Sequence, residues 1–292
     1  MSEWIRQLSQ HEQINFLLTN RIPRHLLTRF MGWFSQIENP ALTKISIAIW
    51  KLFASDLNFE EAEQCHYRSL QECFTRRLKK GAREIDARPN IITSPCDAII
   101  GSCGRIEDSI VYQAKGFPYQ IQDLIPDHAI CRTIQNGSYV TLRLKSSMYH
   151  RFHAPLDGNV NEILYLSGDT WNVNPVALKI IEKLYCKNER AVLEINPSSQ
   201  SGHLVMVPVA AILVASMKFH CLDQALDLRY QGINRIPCLA HYKKGEEMGY
   251  FQHGSTIIVF TSSHFELLSH IRSGDKINMG QALLQQRPGL TN

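Results

Sequence analysis

Apolar and polar positions change rhythm near residue 90. Before it, Leu26, Leu27, Phe30, Met31 and Phe34 recur at helical spacing, preceded by Leu17 and Leu18 and interspersed with Arg21, Arg24 and Arg29. A second apolar set, Ile45, Ile47, Ile49, Trp50 and Phe53, follows. This pattern predicts amphipathic helices. With Trp33, Trp50 and the arginines they fit a surface that dips into lipid headgroups, and equally a helical hairpin packed on its own core. The basic run TRRLKKGARE, with Arg76, Arg77, Lys79, Lys80 and Arg83, reads as a solvated face or a face that meets anionic phosphate.

Beyond residue 90 short apolar runs (IITSP, AIIG, YVTLRL, NVNEILYL, AVLEI, LVMVPVAAILVASM, STIIVF) alternate with Gly, Pro, Asn and Asp clusters. Runs of this length and spacing predict a β-rich core rather than βαβ units. In YVTLRL the period of two through Val140, Leu142 and Leu144 predicts one buried face. HAPLDGNVNEILYLSGDTWNVNP resembles half of a biotinyl- or lipoyl-type barrel-sandwich but lacks the lysine that those carriers modify. The expected class is α+β: a helical, membrane-associating region over 1–85, then a β-rich, barrel-sandwich-like catalytic core over 86–292.

Composition narrows the function classes. The chain has 292 residues, 44% hydrophobic and 20% charged, which excludes wholesale disorder, collagen-like repeats and coiled coils. A net charge of +4 is too small and dispersed to point to nucleic acid, though it suits an anionic surface. Eight cysteines, none spaced CxxC, predict free thiols in a reducing compartment. MSEWIRQLSQHEQ reads as neither a secretory signal nor a transit peptide. The longest uncharged apolar stretch, Leu204 to Met217, is short of the ~20 residues needed to span a bilayer.

Three loops concentrate reactive side chains: SPCDA with Asp97, MYHRFHAPLDG with His150 and His153, and GYFQHGST with Gly254 and Ser255. Taken singly, Asp97 is a turn residue, the histidines a solvated pair and Gly254-Ser255 a bend before a strand. Together they supply an acid, a base and a hydroxyl nucleophile. A serine hydroxyl is a weak nucleophile until a base lies within hydrogen-bond reach, and the base needs a third group to hold its tautomer. A strand rather than a helix follows Ser255, and no small residue stands two places on, which argues against the nucleophile elbow of an α/β-hydrolase.

The ordered series FTRRLKKGAREID, SPCDAIIGSCGRIE, QAKGFPY, YHRFHAPLDG, GDTWNVNP, KNERAVLE, KGEEMGYFQHGSTIIVF and KINMGQAL resembles the phosphatidylserine decarboxylases, pyruvoyl-dependent enzymes that process themselves, over about residues 25 to 285. The resemblance implies that the backbone breaks between Gly254 and Ser255. The Ser255 hydroxyl would attack the Gly254 carbonyl, and elimination would leave a β chain, 1–254, and an α chain, 255–292, headed by a pyruvoyl group derived from Ser255. Glycine suits the contorted backbone that this attack requires. The resemblance assigns Asp97, His153 and Ser255 to processing, with His153 as base, and proton return during decarboxylation to His150; on the residues alone the two histidines are interchangeable. In a regular strand the two imidazoles would face opposite sides, so a bend is needed to bring them to one site.

The implied activity converts phosphatidylserine to phosphatidylethanolamine and CO₂ through a Schiff base with the pyruvoyl group. Implied partners are phosphatidylserine and an anionic membrane surface, with a peripheral location on the cytoplasmic face of a bacterial cell membrane; a homodimer fits the family and leaves no mark in the sequence. The chain departs from the family at His253, commonly Leu or Val, and at Ala98, usually Gly. Competing readings are a serine hydrolase built on the same Asp97, His153 and Ser255, an unprocessed lipid-binding relative, and a metal site formed by His150, His153 and Asp97.

Overall fold

The structure is a computed structural model and describes residues 23–54, 56–114, 117–198, 201–213, 216–252 and 255–288. Leu17, Leu18, Arg21, His253 and Gly254 lie outside the described residues. Within them, seven α-helices and seventeen strands confirm a helical lead and a β-rich core.

Helices α1 (Arg24–Ser35) and α2 (Pro40–Phe53) form the lead. α2 begins where the Asn39 side chain accepts from the N–H groups of Ala41 and Leu42, both at 3.0 Å, with Pro40 in the first turn. Both helices turn small polar residues inward: Thr28, Ser35 and Thr43 are buried. Leu26, Phe30 and Trp33 on α1, and Ile45, Ile49 and Leu52 on α2, are exposed; at spacings of four and three they make one stripe per helix. Each stripe faces outward rather than into a core of its own. α1 is tied to the core by Arg24, whose guanidinium donates to both Asp169 oxygens (3.2 and 2.7 Å) and lies 3.6 Å over the Trp171 ring. Thr28 Oγ1 accepts from the Leu213 N–H at 3.1 Å.

The basic run is only partly a surface. Arg77, Lys79 and Lys80 are exposed, but Arg76 is buried and donates to the carbonyls of Leu57 and Ser147, at 2.9 and 3.0 Å. The Arg83 side chain is 8% exposed and ion-paired. Neither is available to a membrane, because fixed carbonyls and carboxylates of distant segments claim both guanidiniums. Helix α3 (Leu70–Phe74) ends on Phe74, which stacks on Trp50 at 5.5 Å.

A three-stranded sheet pairs β1 (Ile91–Thr93) with β17 (Ala282–Gln286), and β17 with β15 (Phe265–Leu267). Eight antiparallel strands make the main sheet: β12 (Arg235–Tyr242), β7 (Gly158–Leu166), β8 (Arg190–Pro197), β9 (Leu204–Ala210), β14 (Ser255–Thr261), β5 (Ser138–Leu144), β2 (Ala98–Arg105) and β16 (Lys276–Ile277), in that spatial order. One face packs on a four-stranded sheet of β11 (Leu226–Asp227), β10 (Ser216–Phe219), β13 (Glu247–Phe251) and β6 (Arg151–His153), through a core that includes Leu142, Phe152, Met206, Phe219, Phe251 and Ile257. The other face meets the hairpin β3 (Ile110–Ala114)–β4 (Phe117–Gln120) and helices α4 (Ile121–Leu124), α5 (His128–Thr133), α6 (Pro175–Leu178) and α7 (Leu184–Lys187). The sheets do not close into a barrel.

This double cover corrects the reading of YVTLRL. Val140, Leu142 and Leu144 face the inter-sheet core, while Tyr139 on the opposite face is buried under the helices. Likewise the apolar stretch from Leu204 supplies β9, buried along its whole length, and then turns into β10. The expectation of free thiols is also corrected in part. Cys221 after β10 and Cys238 on β12 form a disulfide, their Cα atoms 5.7 Å apart, because the folded sheets place them side by side across 17 residues of chain. The other six cysteines are free.

Candidate active site

Ser255 is the first residue of β14, in the middle of the main sheet, with Leu144 and Ala210 as its register partners. It is fully buried, and its hydroxyl has no hydrogen-bond partner among the described residues. Its strand neighbours Ile257 and Val259 point into the inter-sheet core. The segment before Ser255 comes from the other sheet. β13 ends at Phe251, whose N–H donates to the His150 carbonyl at 3.0 Å, and the Gln252 N–H donates to the Ser216 carbonyl at 3.3 Å. β13 of the smaller sheet thus ends at Phe251, and β14 of the main sheet begins at Ser255.

Connectivity brings His150 to the same region. β5 ends at Leu144, opposite Ser255, and a turn of five residues leads to His150. The imidazole is fully buried and packs against the Phe74 ring at 4.0 Å. Its Nδ1–H donates to the Met148 carbonyl at 2.8 Å, which leaves Nε2 as the nitrogen able to accept or deliver a proton. Phe74 and Ser255 line one cavity of about 690 Å³, together with Arg143, Lys145, Asn172 and Leu213.

His153 and Asp97 form a second cluster. His153 Nδ1–H donates to the Gly245 carbonyl at 2.9 Å, so Nε2 is the acceptor for the Tyr149 hydroxyl at 3.0 Å. Burial lowers its pKa, outweighing the carbonyl of Gly245 and the carboxylates of Glu247 and Asp97 that favour the charged ring. The Asp97 carboxylate is held by Arg83, at 2.9 and 2.5 Å, and by the Met279 N–H at 2.8 Å; Arg83 also donates to Glu61 at 2.9 Å. The His153 N–H donates to the carbonyl of Pro95, two residues before Asp97, at 2.8 Å. Asp97 thus acts on His153 as a nearby charge, with no hydrogen bond between them. Neither histidine bonds Ser255. A larger cleft of about 1020 Å³ beside Arg83 and Met279 includes none of Ser255, His150 and His153. Among the described residues no group of three or more His, Cys, Asp and Glu could hold a metal ion.

Side chains that sequence reasoning passed over complete the site. Arg83 was hidden in the basic run and Tyr149 beside a motif histidine; nothing local marks Phe74. The motifs GDTW and KNER brace the neighbour of Ser255. Asn188 donates to the carbonyls of Trp171 and Ala210, at 2.8 and 2.9 Å, and accepts from the Trp171 N–H at 2.8 Å. The Ala210 N–H donates to the Glu189 carbonyl at 2.8 Å, so Glu189, Ala210 and Ser255 lie in one cross-strand row. Glu189 is fully buried against the Tyr165 hydroxyl, and burial pushes its pKa up to about 8.

Fold and site define a class: a helical lead on an antiparallel β core, with a buried serine at the head of β14 and two buried imidazoles on neighbouring backbone. A family model described as phosphatidylserine decarboxylase matches residues 70–285, and a second, described as PSD, matches residues 14–49. A phosphatidylserine decarboxylase proenzyme of Haemophilus influenzae (strain ATCC 51907 / DSM 11121 / KW20 / Rd) is 31% identical over 278 residues, covering 91% of this chain and 94% of that protein. Proteins of the same name from Pasteurella multocida (strain Pm70) and Vibrio parahaemolyticus serotype O3:K6 are 30% identical, covering 96% of this chain and 97% of the relative, and 33% identical, covering 89% and 94%. The chain belongs to the phosphatidylserine decarboxylase family.

Proposed function

We propose that the protein decarboxylates phosphatidylserine to phosphatidylethanolamine after cutting itself between Gly254 and Ser255, with a pyruvoyl group formed from Ser255. The observation that carries this reading is the buried Ser255 hydroxyl at the head of β14, without a hydrogen-bond partner among the described residues, lining a cavity shared with Phe74, which packs on the buried His150. The cross-strand neighbours Leu144 and Ala210 are uncharged, which suits a neutral keto acyl group in place of serine. When present, that group supplies an electron-withdrawing carbonyl that takes up the substrate amine and eases loss of CO₂.

The chain's own residues divide the remaining work. In processing, Ser255 Oγ loses its proton and adds to the Gly254 carbonyl, and the Gly254–Ser255 C–N bond breaks to leave an ester and a free amine. Loss of the Ser255 Cα proton then breaks the Cβ–Oγ bond and frees the Gly254 carboxylate, and water hydrolyses the remaining dehydroalanine to the ketone with release of ammonia. We assign the base to His153, which burial keeps neutral, with Asp97 as the fixed charge that steadies it. Both ring nitrogens of His153 are engaged, so reaching Ser255 requires it to exchange its Tyr149 or Gly245 bond. His150, with its proton on Nδ1 and Phe74 against its ring, is assigned the return of a proton to the substrate carbon through Nε2.

The chain divides in this reading into a membrane-associating region, 1–85, and a core, 86–292. The outward stripes of α1 and α2 support docking on an anionic lipid surface, with the exposed Arg29, Lys44 and Lys51 beside them. Ala54, just past α2, and Leu213, bonded to α1, both line the cavity, so docking would turn its mouth toward the lipid. Among the described residues no helix is long and apolar enough to cross a membrane; the location in this reading is peripheral, at the cytoplasmic face of the cell membrane. Binding to anionic vesicles should weaken as salt rises, and salt-insensitive binding would leave only apolar insertion.

Denaturing gels and intact mass test the central claim. Two chains, 1–254 and 255–292, are expected from the wild type and one chain from Ser255→Ala. A wild type that stays whole after long incubation removes the pyruvoyl mechanism.

A further inference from the structure

Among the charged groups around the Ser255 cavity, Arg143 stands apart. Lys145 is ion-paired with Asp56 at 3.6 Å. Arg143 is half-buried and has no ion pair or hydrogen bond among the described residues. Its cross-strand neighbours are Thr256 on β14 and Ile99 on β2, and neither carries charge. A half-buried guanidinium that lines a cavity with no anion beside it is free to take one that arrives with a ligand.

Register locates that anion. Leu144 pairs with Ser255 and Arg143 with Thr256, so the arginine sits one rung from the serine, on a strand about 5 Å away. Arg143 and Leu144 point to opposite faces of β5, yet both line the cavity, at the level where β5 and β9 end. A serine headgroup whose amine lies at position 255 carries two anions within a few bonds, the carboxylate and the phosphodiester. A charge-assisted bond to the carboxylate would stabilise the charge that must be given up as CO₂ leaves, and so would oppose the reaction. A bond to the phosphodiester is unchanged by the reaction and presents the planar, two-pronged donor that phosphate oxygens accept. Resting on the pyruvoyl reading above, we infer that Arg143 binds the phosphodiester of the lipid headgroup and thereby selects a phosphorylated serine.

The test uses the full chain with dihexanoyl phosphatidylserine dispersed below its micelle concentration, so that vesicle docking does not enter. Arg143→Ala is expected to cut itself into two chains like the wild type, while KM rises about 10- to 100-fold, the range for losing one charge-assisted bond, with a much smaller change in kcat. Arg143→Lys should recover part of the loss. Glycerophosphoethanolamine, which has the phosphate and no carboxylate, should inhibit the wild type and lose potency in Arg143→Ala by a similar factor. A cleaved Arg143→Ala with unchanged KM overturns the inference, as does a raised KM with undiminished inhibition by glycerophosphoethanolamine, which would place the carboxylate on Arg143. If neither Arg143→Ala nor Arg143→Lys is cleaved, the residue serves folding or processing and the inference fails. A wild type that is not cleaved sinks the pyruvoyl reading itself.

Discussion

Replacing Glu189 with glutamine should stabilise the protein above neutral pH and remove much of the pH dependence of its stability. Tyr165 has one proton and two oxygens within hydrogen-bond reach, Glu189 Oε1 and the Asp227 carbonyl at 3.0 Å. The hydroxyl donates to Glu189 Oε1, which by itself favours the carboxylate. Burial outweighs that bond, raising the Glu189 pKa from 4.5 to about 8, with the Asp227 charge adding to it. Between these values the unfolded chain has lost the proton and the native state keeps it. Native protein then binds more protons, so stability falls as pH rises from about 4.5 to about 8 and levels off above. At about 1.4 kcal/mol per pH unit, the loss reaches up to about 5 kcal/mol. Glutamine keeps an acceptor for the Tyr165 proton and cannot ionise. Urea denaturation of both proteins at pH 5, 6.5 and 8, followed by circular dichroism, reads the effect: converging stabilities at pH 5 and a more stable variant at pH 8. Parallel profiles for the two proteins would refute a protonated Glu189.

Three further substitutions probe the frame around the site. Arg83→Met strands the buried Asp97 carboxylate and should cost about 3–5 kcal/mol in denaturation, with much of it recovered in the double variant Arg83→Met, Asp97→Asn. Gly137→Ala would put a Cβ 1.6 Å from the Thr261 carbonyl oxygen across the β5–β14 ladder, so the variant should accumulate as insoluble protein or melt far below the wild type. Arg24→Ala removes the paired hydrogen bonds to Asp169 and the stack on Trp171. Faster amide hydrogen exchange should then appear in residues 24–35, with the core strands unchanged.

Pattern alone carried the division of the chain. Helical spacing marked the lead, and each apolar run beyond residue 90 that the periodicity singled out became a strand, because local alternation and turn residues are local physics. The placement of Ser255 at a strand head was legible in HGSTIIVF for the same reason. The period of two in YVTLRL was read correctly on one face and missed the other, since a strand covered on both sides hides its second face among ordinary residues such as Tyr139.

Charge was the least legible. Arg76, Arg77, Lys79, Lys80 and Arg83 look alike along the chain, yet two are buried and three exposed. Asp97 is held by the backbone of Met279, 182 residues away, and Arg83 rather than His153 claims its carboxylate. The raised pKa of Glu189, the Arg143 guanidinium without an ion pair among the described residues and the Cys221–Cys238 disulfide belong to the same group. Sequence by itself determined where helices and strands run, which residues could do the chemistry and, through its ordered motifs, the family. Only the tertiary structure decided which charges are paired, which acids keep their protons and which side chains share a cavity. Those properties depend on burial and on partners brought from distant segments, and neither is encoded within a short window of residues.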